Sequence, residues 1–397
     1  MKEETEHLLQ NLIPGLPDEI ALDCLARVPY RFHSVLKSVC RGWNDLLADS
    51  SFYHYRKISH RGEDLVCLVQ AVVTKESAVE SAPKDKAVTR HIPPVYGLSI
   101  YNATDDTWRR VMPLAPILPA GIPMFCQCVA VSGKLVLIGG WDPATLDSVA
   151  DVFVCDFVRG GGWRRGAPMS VARSFFACAA VGSTIYVAGG HDNQKNALRS
   201  AEAYDVESDT WRDLPPMADE RDECQGLACK GRFWVVSGYR TEAQGRFDSG
   251  AECYDPVSDT WTELHGVWPF PNSSPRGTCY ASPRVPKGQV PKITFSPLWF
   301  INTSNNSHKG VMEFDERDKN WKLVGPTPEG ICSSPCTTLI SGGPSSDRIF
   351  VIGSGHGGGG PHRHRACVLE TNTRKWTHIN TPVDFSGFVY SSAALYL

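Results

Sequence analysis

Long apolar runs are missing from this chain. No run approaches the roughly eighteen consecutive apolar residues that a helix needs to cross a bilayer. The opening stretch, MKEETEHLLQNLIPG, is acidic and polar, whereas a secretion signal begins basic and continues apolar. These absences argue against a membrane protein. They predict a protein that stays inside the cell, in the cytoplasm with the nucleus as a second compartment.

A basic excess is also missing. The 397 residues include 40 Lys and Arg against 43 Asp and Glu, which gives a formal net charge of −3. Binding to nucleic acid requires a basic surface that can neutralise phosphates. We therefore expect no nucleic-acid partner.

The chain has few cysteine pairs, although it contains 14 Cys. The pairs Cys126 with Cys128 and Cys332 with Cys336 have no second matching pair, so they do not predict a zinc site. In an intracellular protein, cysteines scattered through apolar segments are expected to be reduced core residues. Four cysteines illustrate this placement: Cys178, Cys229, Cys253 and Cys367.

Local signatures of catalysis are missing as well. The glycine run GSGHGGGGPHRHR, residues 353–365, lacks the Lys-Ser or Lys-Thr of a phosphate-binding loop. Its His356, His362 and His364 could bind a metal, but Gly- and His-rich loops are more often solvated. No spacing identifies the ligands of a copper radical oxidase or the arginine triad of a sialidase. We therefore expect a non-catalytic protein without a metal or cofactor.

The chain does contain an internal repeat. The stretch SAEAYDVESDTWRDLPPM at residues 200–217 recurs as GAECYDPVSDTWTEL at 250–264. Weaker copies end at four further tryptophans, so the six repeat tryptophans are Trp108, Trp163, Trp211, Trp261, Trp321 and Trp376. A spacing of about fifty residues is typical of kelch-type propeller blades.

One repeat unit predicts four short strands. In residues 173–190, apolar runs are separated by Gly, and two further short runs follow with turn residues between them. The glycine pair Gly189-Gly190 suits a crowded point where the backbone needs positive φ. The repeated Trp opens the fourth strand, where its ring can fill the space between neighbouring sheets.

The two ends of the chain decide the number of blades. Only two strand candidates, 65–72 and 95–102, precede Trp108, so the first blade lacks a strand. The C-terminal run GFVYSSAALYL, 387–397, resembles a first strand that has no blade of its own. We therefore predict an all-β, six-bladed propeller over 62–397 whose C-terminal strand completes the first blade and closes the ring.

A separate helical module precedes the propeller. Pro17 and Asp18 occupy helix-start positions, and Pro29 ends an apolar pattern of helical spacing. A second periodic run covers 32–47, and a third short helix follows a Ser cap at residue 50. Three helices of this size cannot bury all their apolar side chains. Part of that surface is expected to bind a partner, unless the helices only cap the propeller.

The amino-acid sequence of this module closely resembles an F-box, which binds the Skp-type adaptor of cullin-based ubiquitin ligases. The resemblance rests on LIPGLPDEIALDCLARVP followed by VLKSVCRGWNDLLADSSF, and the module is assigned to 12–57. It implies that adaptor contacts come from Leu16, Pro17, Ile20, Cys24, Leu25 and Val28. It also implies that three residues build or extend this surface: Val39, Trp43 and Leu46.

The propeller is similar to the plant kelch F-box receptors that direct phenylalanine ammonia-lyase to degradation. The similarity is carried by GLSIYNA, LIGGWDP, VAGGHDNQKNALRSAEAYDVE, SGYRTEAQGRF, WPFPNSSPRG and the terminal YSSAAL. It implies a substrate receptor that joins a Skp-cullin core to phenylalanine ammonia-lyase and lowers phenylpropanoid synthesis. Related members are linked to type-B cytokinin response regulators, which remain an alternative target. A non-catalytic scaffold for other partners is the second alternative.

The target is expected on the propeller face that gathers the inter-blade loops and the loops between second and third strands. The rigid, planar guanidinium group of arginine can bind carboxylates of a partner protein. The alternative is that each Arg ties its loop to a neighbouring carboxylate such as Glu223 or Asp248. The candidate target-binding residues are Arg173, His191, Asp192, Lys195, Arg221, Asp222, Arg240, Arg246 and Arg276.

Two stretches interrupt the repeat. Residues 75–91 are polar, charged and poor in aromatics, which predicts a disordered loop within the first blade. Residues 271–292 are rich in Pro and Ser, which makes the fifth blade the least regular. Either this insertion contacts the target, or the sequence of this blade has simply diverged from the repeat.

Overall fold

A computed structural model describes most of the chain. The described residues are 12–73, 95–111, 117–118, 121–160, 162–281, 298–302, 310–315, 320–341, 347–355 and 363–397. The loop predicted over 75–91 and His356 and His362 lie outside these ranges. Among the described residues, no helix is both long and apolar enough to span a membrane.

The N-terminal module is helical. Its described part contains α1 (Asp18–Ala26), a 3₁₀ turn (Tyr30–Phe32), α2 (His33–Lys37), α3 (Arg41–Ala48) and α4 (Ser50–Ile58). Leu25, Leu46, Leu47 and Phe52 are buried together and form the centre of the module. Because the module is short, the opposite faces of α1 and α2 stay exposed.

The prediction of three helices in this module was wrong. The apolar run at 32–47 is divided between the 3₁₀ turn, α2 and α3. Cys40 has an extended backbone, and its Sγ accepts a hydrogen bond from the Trp43 amide at 3.5 Å. Cys40 therefore acts as an N-cap that starts a new helix, which the apolar periodicity did not indicate.

Twenty-four strands follow in the described part of the chain. They are β1 (Asp64–Ala71), β2 (Tyr96–Asn102), β3 (Thr107–Arg110), β4 (Gln127–Val131), β5 (Lys134–Ile138), β6 (Val152–Asp156), β7 (Trp163–Gly166), β8 (Ala177–Val181), β9 (Thr184–Ala188), β10 (Ala201–Asp205), β11 (Thr210–Leu214), β12 (Gln225–Cys229), β13 (Arg232–Val236), β14 (Ala251–Asp255), β15 (Thr260–Leu264), β16 (Cys279–Ala281), β17 (Leu298–Asn302), β18 (Gly310–Asp315), β19 (Asn320–Gly325), β20 (Ser333–Ile340), β21 (Arg348–Ser354), β22 (His364–Glu370), β23 (Lys375–Ile379) and β24 (Val389–Tyr396).

These strands form six antiparallel, four-stranded sheets among the described residues. Five sheets use consecutive strands, β4–β7, β8–β11, β12–β15, β16–β19 and β20–β23, and the sixth has the order β24-β1-β2-β3. The innermost strands β4, β8, β12, β16, β20 and β24 contact one another in that order, and β24 returns to β4. The sheets therefore surround one axis as a β-propeller.

The expected ring of six full blades needs a correction. Five sheets form complete blades, whereas the innermost strand of the sheet β16–β19 has only three residues, Cys279–Ala281. The sheet β16–β19 is consequently a reduced blade, and five complete blades carry most of the propeller core.

The C-terminal strand closes the first blade, as expected. β24 pairs with β1 from Asp64 opposite Tyr396 to Gln70 opposite Val389. Glu63 and Leu397 exchange backbone hydrogen bonds of 2.6 and 3.0 Å just beyond the pairing. One blade is thus built from both chain ends, which leaves no edge strand open at the join.

The repeated tryptophans join neighbouring blades. Each lies at the start of the outermost strand of its sheet, as the repeat predicted. The indole Nε1 of Trp211 donates to Ala167 O at 2.8 Å, and that of Trp261 donates to Pro215 O at 2.7 Å. Trp108, Trp321 and Trp376 make the same type of bond to a backbone carbonyl of an adjacent blade. The packed ring, half-buried in most blades, and its single donor together fix the angle between blades.

The glycine pairs lie where neighbouring blades approach closely. Gly189 and Gly190 have φ of 68° and 80°. A Cβ at Gly190 would lie 2.3 Å from Ser174 O, and one at Gly189 would lie 2.4 Å from Arg221 O. Both backbone conformation and space therefore require glycine here, as the sequence predicted.

Direct contacts fasten the helical module to the first two blades. Tyr30 Oη donates to Phe157 O at 2.8 Å. The buried Glu63 carboxylate accepts from Tyr30 N at 2.6 Å, Arg56 Nη2 at 2.8 Å and Asn102 Nδ2 at 2.6 Å. One carboxylate therefore ties a helix, the inter-helix turn and strand β2 together.

Candidate functional sites

An exposed apolar surface covers the helical module. Leu16 is 41% exposed, Ile20 52% and Val39 58%. Ile20 and Cys24 are one helical turn apart on α1, and Cys24 and Pro17 are also exposed. Single exposed apolar residues are common, but a group of large ones on one small module indicates a binding surface.

Not every residue assigned to adaptor binding lies on this surface. Leu25 is buried in the helical core, so its assignment to direct contact is corrected. Leu46 is buried there too, and it supports the surface from beneath. Val28 and Trp43 are half-buried, and Trp43 Nε1 donates to Leu12 O at 2.6 Å. The burial follows from helical periodicity, because one face of each short helix must form the core.

Two exposed residues were missed by sequence reasoning. Phe32 is 46% exposed and Val35 61% exposed, both beside Val39 along the chain. The periodic run at 32–47 contained both residues but did not distinguish exposed positions from buried ones. The break at Cys40 turns them outward, so they extend the exposed apolar surface.

The core beneath this surface contains a buried histidine. His33 Nε2 lies 2.6 Å from Arg56 Nη1, and His33 Nδ1 lies 3.1 Å from Tyr53 Oη. Burial and the positive charge of Arg56 lower the pKa of His33 to about 4. The folded protein therefore keeps this imidazole neutral at physiological pH.

This pKa predicts that acid destabilises the protein through His33. Between the unfolded pKa of about 6.5 and the folded pKa, the unfolded chain binds a proton that the folded chain does not, so stability falls as pH falls. Between pH 7 and pH 5 the loss from this group is expected to be about 2 kcal/mol. Denaturant unfolding at both pH values measures it. The loss should be smaller in His33→Gln, and an equal loss in both proteins would refute the role of His33.

The propeller loops assigned to one face do lie together. Inter-blade residues pair with the residues that follow each second strand: Met124 with Trp141, Ser174 with His191 and Asp222 with Tyr239. The same pairing recurs in three successive blades, which places these loops at one end of the axis. The candidate target-binding side chains on these loops nevertheless differ in burial and in hydrogen-bond partners.

Arg173 is fully buried and does not face a partner. It donates to Gly189 O at 3.0 Å, Ser200 O at 2.9 Å and Glu202 Oε1 at 2.8 Å. Glu202 is equally buried and also accepts from Ser170 N at 2.7 Å. The assignment of Arg173 to target binding was wrong, because the guanidinium is used inside its own blade.

Arg221 repeats this arrangement in the next blade. It is buried, and its Nε donates to Glu252 Oε1 at 2.9 Å while Nη1 donates to Ser237 O at 3.0 Å. Its assignment to target binding was also wrong. The alternative, that each Arg ties its loop to a carboxylate, describes both residues, although the main carboxylates are Glu202 and Glu252. Asp248 is a further partner of Arg221 at 3.5 Å.

His191 and Asp222 form a buried chain of hydrogen bonds between blades. His191 Nδ1 lies 2.8 Å from Asp222 Oδ2, and His191 Nε2 lies 2.8 Å from Ser174 Oγ. The order Ser, His, Asp matches that of a hydrolase triad. Ser174 is fully buried, however, so a substrate cannot reach Oγ and the chain links three loops. Assigning His191 and Asp222 to direct target contact is corrected accordingly.

The other five candidates reach solvent or the axis. Lys195 is exposed, with Nζ 3.7 Å from the centre of the Trp141 ring. Arg240 and Arg246 are exposed, and Arg240 pairs with Asp219 at 2.7 Å. Half-buried Asp192 accepts from the backbone amides of Gln194 and Asn196, so it shapes its own loop. Arg276 projects toward the axis and is described below.

An aromatic cluster that sequence reasoning missed lies at the axis. The ring centres of Phe125 and Phe175 are 4.7 Å apart, those of Trp141 and Phe175 5.4 Å, and those of Phe125 and Tyr390 5.4 Å. Phe125 and Phe175 have φ of 57° and 55°. Positive φ is uncommon for a bulky residue. Both occupy the same place, two residues before an innermost strand, and only that shared position could have marked them in the sequence.

Thirteen of the 14 cysteines are free thiols within the described part of the chain. Cys229, Cys253 and Cys367 are buried and Cys178 is half-buried, in accordance with the expectation of reduced core residues. No group of three or more metal-ligating side chains occurs among the described residues.

Comparisons with known proteins identify both modules. A family model of the F-box domain matches residues 13–55, and one of the kelch motif matches 172–218. The chain is 43% identical to the F-box/kelch-repeat protein SKIP20 of Arabidopsis thaliana, over all of this chain and 99% of that protein. It is 42% identical to the Arabidopsis F-box/kelch-repeat protein At2g44130, over 97% of this chain and 96% of the relative.

A helical adaptor-binding module joined to a kelch propeller defines a class of substrate receptors. The chain belongs to the plant F-box/kelch-repeat family. The F-box implies binding to a Skp-type adaptor, and the kelch propeller implies a protein target. Together they support a role in substrate recognition within a Skp-cullin-F-box ubiquitin ligase. Family members are in general non-catalytic adaptors.

Proposed function

We propose that this protein is the receptor that brings phenylalanine ammonia-lyase to a Skp-cullin-F-box ligase for proteasomal degradation. The observation that carries the proposal is the resemblance of the propeller loops to receptors of that enzyme. Its quoted segments include residues 137–143, 187–207 and 237–247. These segments contain the loops that begin at Trp141, His191 and Tyr239 on one propeller face.

The site for this target is the exposed part of that face. The buried Arg173 and Arg221 hold the loops in place, while Lys195, Arg240 and Arg246 remain available to solvent. Phe175 and Trp141 add half-buried aromatic surface beside these cations. Aromatic and arginine side chains are enriched at the centre of protein interfaces.

In this proposal the chain performs no catalysis itself. Its exposed Leu16, Ile20 and Val39 bind the adaptor, and the adaptor connects it through cullin to the ubiquitin-transferring subunits. The receptor contributes proximity, because it holds the target lysines near the charged ubiquitin carrier. It acts in the cytoplasm, with the nucleus as a second compartment.

Reconstituted ubiquitin transfer tests the proposal. The full chain, adaptor, cullin and its transfer subunits are mixed with phenylalanine ammonia-lyase, or with a type-B response regulator as the alternative target. Ubiquitin chains on the lyase that disappear without the receptor are the expected result. Ubiquitin transfer to the regulator alone would show that the regulator, and not the lyase, is the target. Transfer to neither, with adaptor binding intact, would reject the lyase as target.

A further inference from the structure

A polar cavity of about 270 Å³ lies on the propeller axis. Its walls come from the innermost strands β4, β8, β12, β20 and β24 and from Arg276. A cavity needs only about 10–15 Å³ of such space to hold one water, so this cavity holds several. The cavity is thus large enough for a small organic molecule, although it is smaller than most cofactor sites.

Arg276 supplies a positive charge to this cavity. Its Nη1 donates to Phe176 O at 3.2 Å and to Cys224 O at 3.3 Å. Within the described ranges, no carboxylate forms an ion pair with it. Guanidinium remains charged under all physiological conditions and has five donors, so donors are left for a ligand. Glu223 and Asp222 act on this charge only from beyond ion-pair distance. A partly desolvated cation without a directly paired carboxylate favours an anion.

Further polar atoms of the wall have no partner within the described protein. Gln127 Nε2 on β4 and Thr337 Oγ1 on β20 are inaccessible to solvent and make no hydrogen bond. Both residues line the cavity that Arg276 enters. Native proteins rarely leave buried polar atoms unpaired, and such atoms call for an explanation. An oxygen-bearing ligand would satisfy the amide and the hydroxyl together.

Flat apolar side chains lie beside the cation. The Arg276 guanidinium is 5.2 Å from the centre of the Phe175 ring. Tyr390 lines the cavity and also contacts Phe125, which links the cavity to the aromatic cluster. Positive φ at Phe125 and Phe175 is a local strain of the kind that persists at ligand sites. Trp141 Nε1, in the same cluster, has no partner among the described residues.

We propose that the axial cavity binds a small aromatic carboxylate. The carboxylate accepts hydrogen bonds from Arg276 and from Gln127, while the aromatic ring lies against the wall residue Tyr390 and reaches Phe175, which packs on Arg276. A guanidinium recognises the planar carboxylate through paired hydrogen bonds, and offset or edge contacts with aromatic rings select a flat ring over a puckered one. This site is independent of which protein the receptor targets.

Ligand-observed NMR with the full chain bound to its adaptor tests the site. Saturation transfer to benzoate is measured against cyclohexanecarboxylate, which has the same carboxylate on a puckered ring, and inorganic phosphate serves as a competitor. We expect saturable binding of benzoate, at least severalfold weaker binding of cyclohexanecarboxylate and little competition by phosphate. No saturable benzoate signal at millimolar concentration would overturn the proposal.

Three variants locate the binding. Arg276→Gln is expected to weaken benzoate binding about tenfold to a hundredfold, because charge-assisted hydrogen bonds are lost. Arg246→Gln removes an exposed arginine of the same propeller and should leave the affinity unchanged. Phe175→Asn removes the ring but tolerates the positive φ, so the protein should fold and bind severalfold more weakly. Equal affinity of wild type and Arg276→Gln, or equally strong phosphate binding, would refute an aromatic carboxylate site.

Discussion

Replacing Ile20 with Asp is expected to abolish tight binding of the Skp-type adaptor. Ile20 is 52% exposed in the first turn of α1, between Leu16 and Cys24 along the chain. Loss of a central apolar anchor costs about 2 kcal/mol or more, and the variant also buries an unpaired carboxylate in the complex. The affinity should fall roughly a hundredfold, which surface plasmon resonance with immobilised adaptor measures.

Ile58→Asp is the matched control for this prediction. Ile58 is 61% exposed on α4 and lies beyond residues 13–55 that match the F-box. The same chemical change there should leave adaptor affinity within a factor of about two and thermal stability unchanged, as at ordinary surface sites. Equal loss of binding in both variants would show that exposed apolar side chains of the module act without a defined site.

Replacing Arg173 with Ala is expected to destabilise the propeller by about 3 to 5 kcal/mol. The substitution leaves the buried Glu202 carboxylate with only the Ser170 amide and no counter-charge. It also removes the donors that bind Gly189 O and Ser200 O. Denaturant unfolding of the full chain, followed by tryptophan fluorescence, measures the loss.

A double variant separates structure from target binding. Arg173→Met together with Glu202→Leu replaces the ion pair by apolar side chains and should recover much of the stability, as buried pairs often tolerate such replacement. Arg240→Ala removes an exposed arginine paired with Asp219 and should change stability by less than about 1 kcal/mol. If Arg173→Ala kept full stability and lost only target binding, Arg173 would be a recognition residue after all.

The repeating features of the fold could be predicted from the sequence. The Trp spacing indicated the outermost strands, and the unmatched C-terminal run indicated the strand that pairs with β1. These features repeat because each blade must pack against its two neighbours in the same way. The cap formed by Cys40 was harder to predict, because it depends on a single residue inside an otherwise periodic run. The irregular fifth blade, with its three-residue β16, was indicated by the Pro- and Ser-rich stretch.

Side-chain direction could not be predicted from loop position. Arg173 and Arg221 were correctly placed in inter-blade loops, but each turns inward to a glutamate about thirty residues later. Glu202 and Glu252 are each the second residue of the third strand of their blade. The two copies of the repeat therefore already contain the same Arg-to-Glu spacing. Phe125 and Phe175 were missed because their positions matter through backbone conformation, which residue type alone does not reveal.

Partner identification in plant cells tests the two-part account most directly. Wild type and Ile20→Asp are purified from cells in which the proteasome is inhibited, and bound proteins are quantified by mass spectrometry. The account predicts that adaptor and cullin are lost from Ile20→Asp while phenylalanine ammonia-lyase is retained at the wild-type level. Adaptor retained on Ile20→Asp, or the lyase absent from wild type, would contradict the adaptor half or the target half respectively.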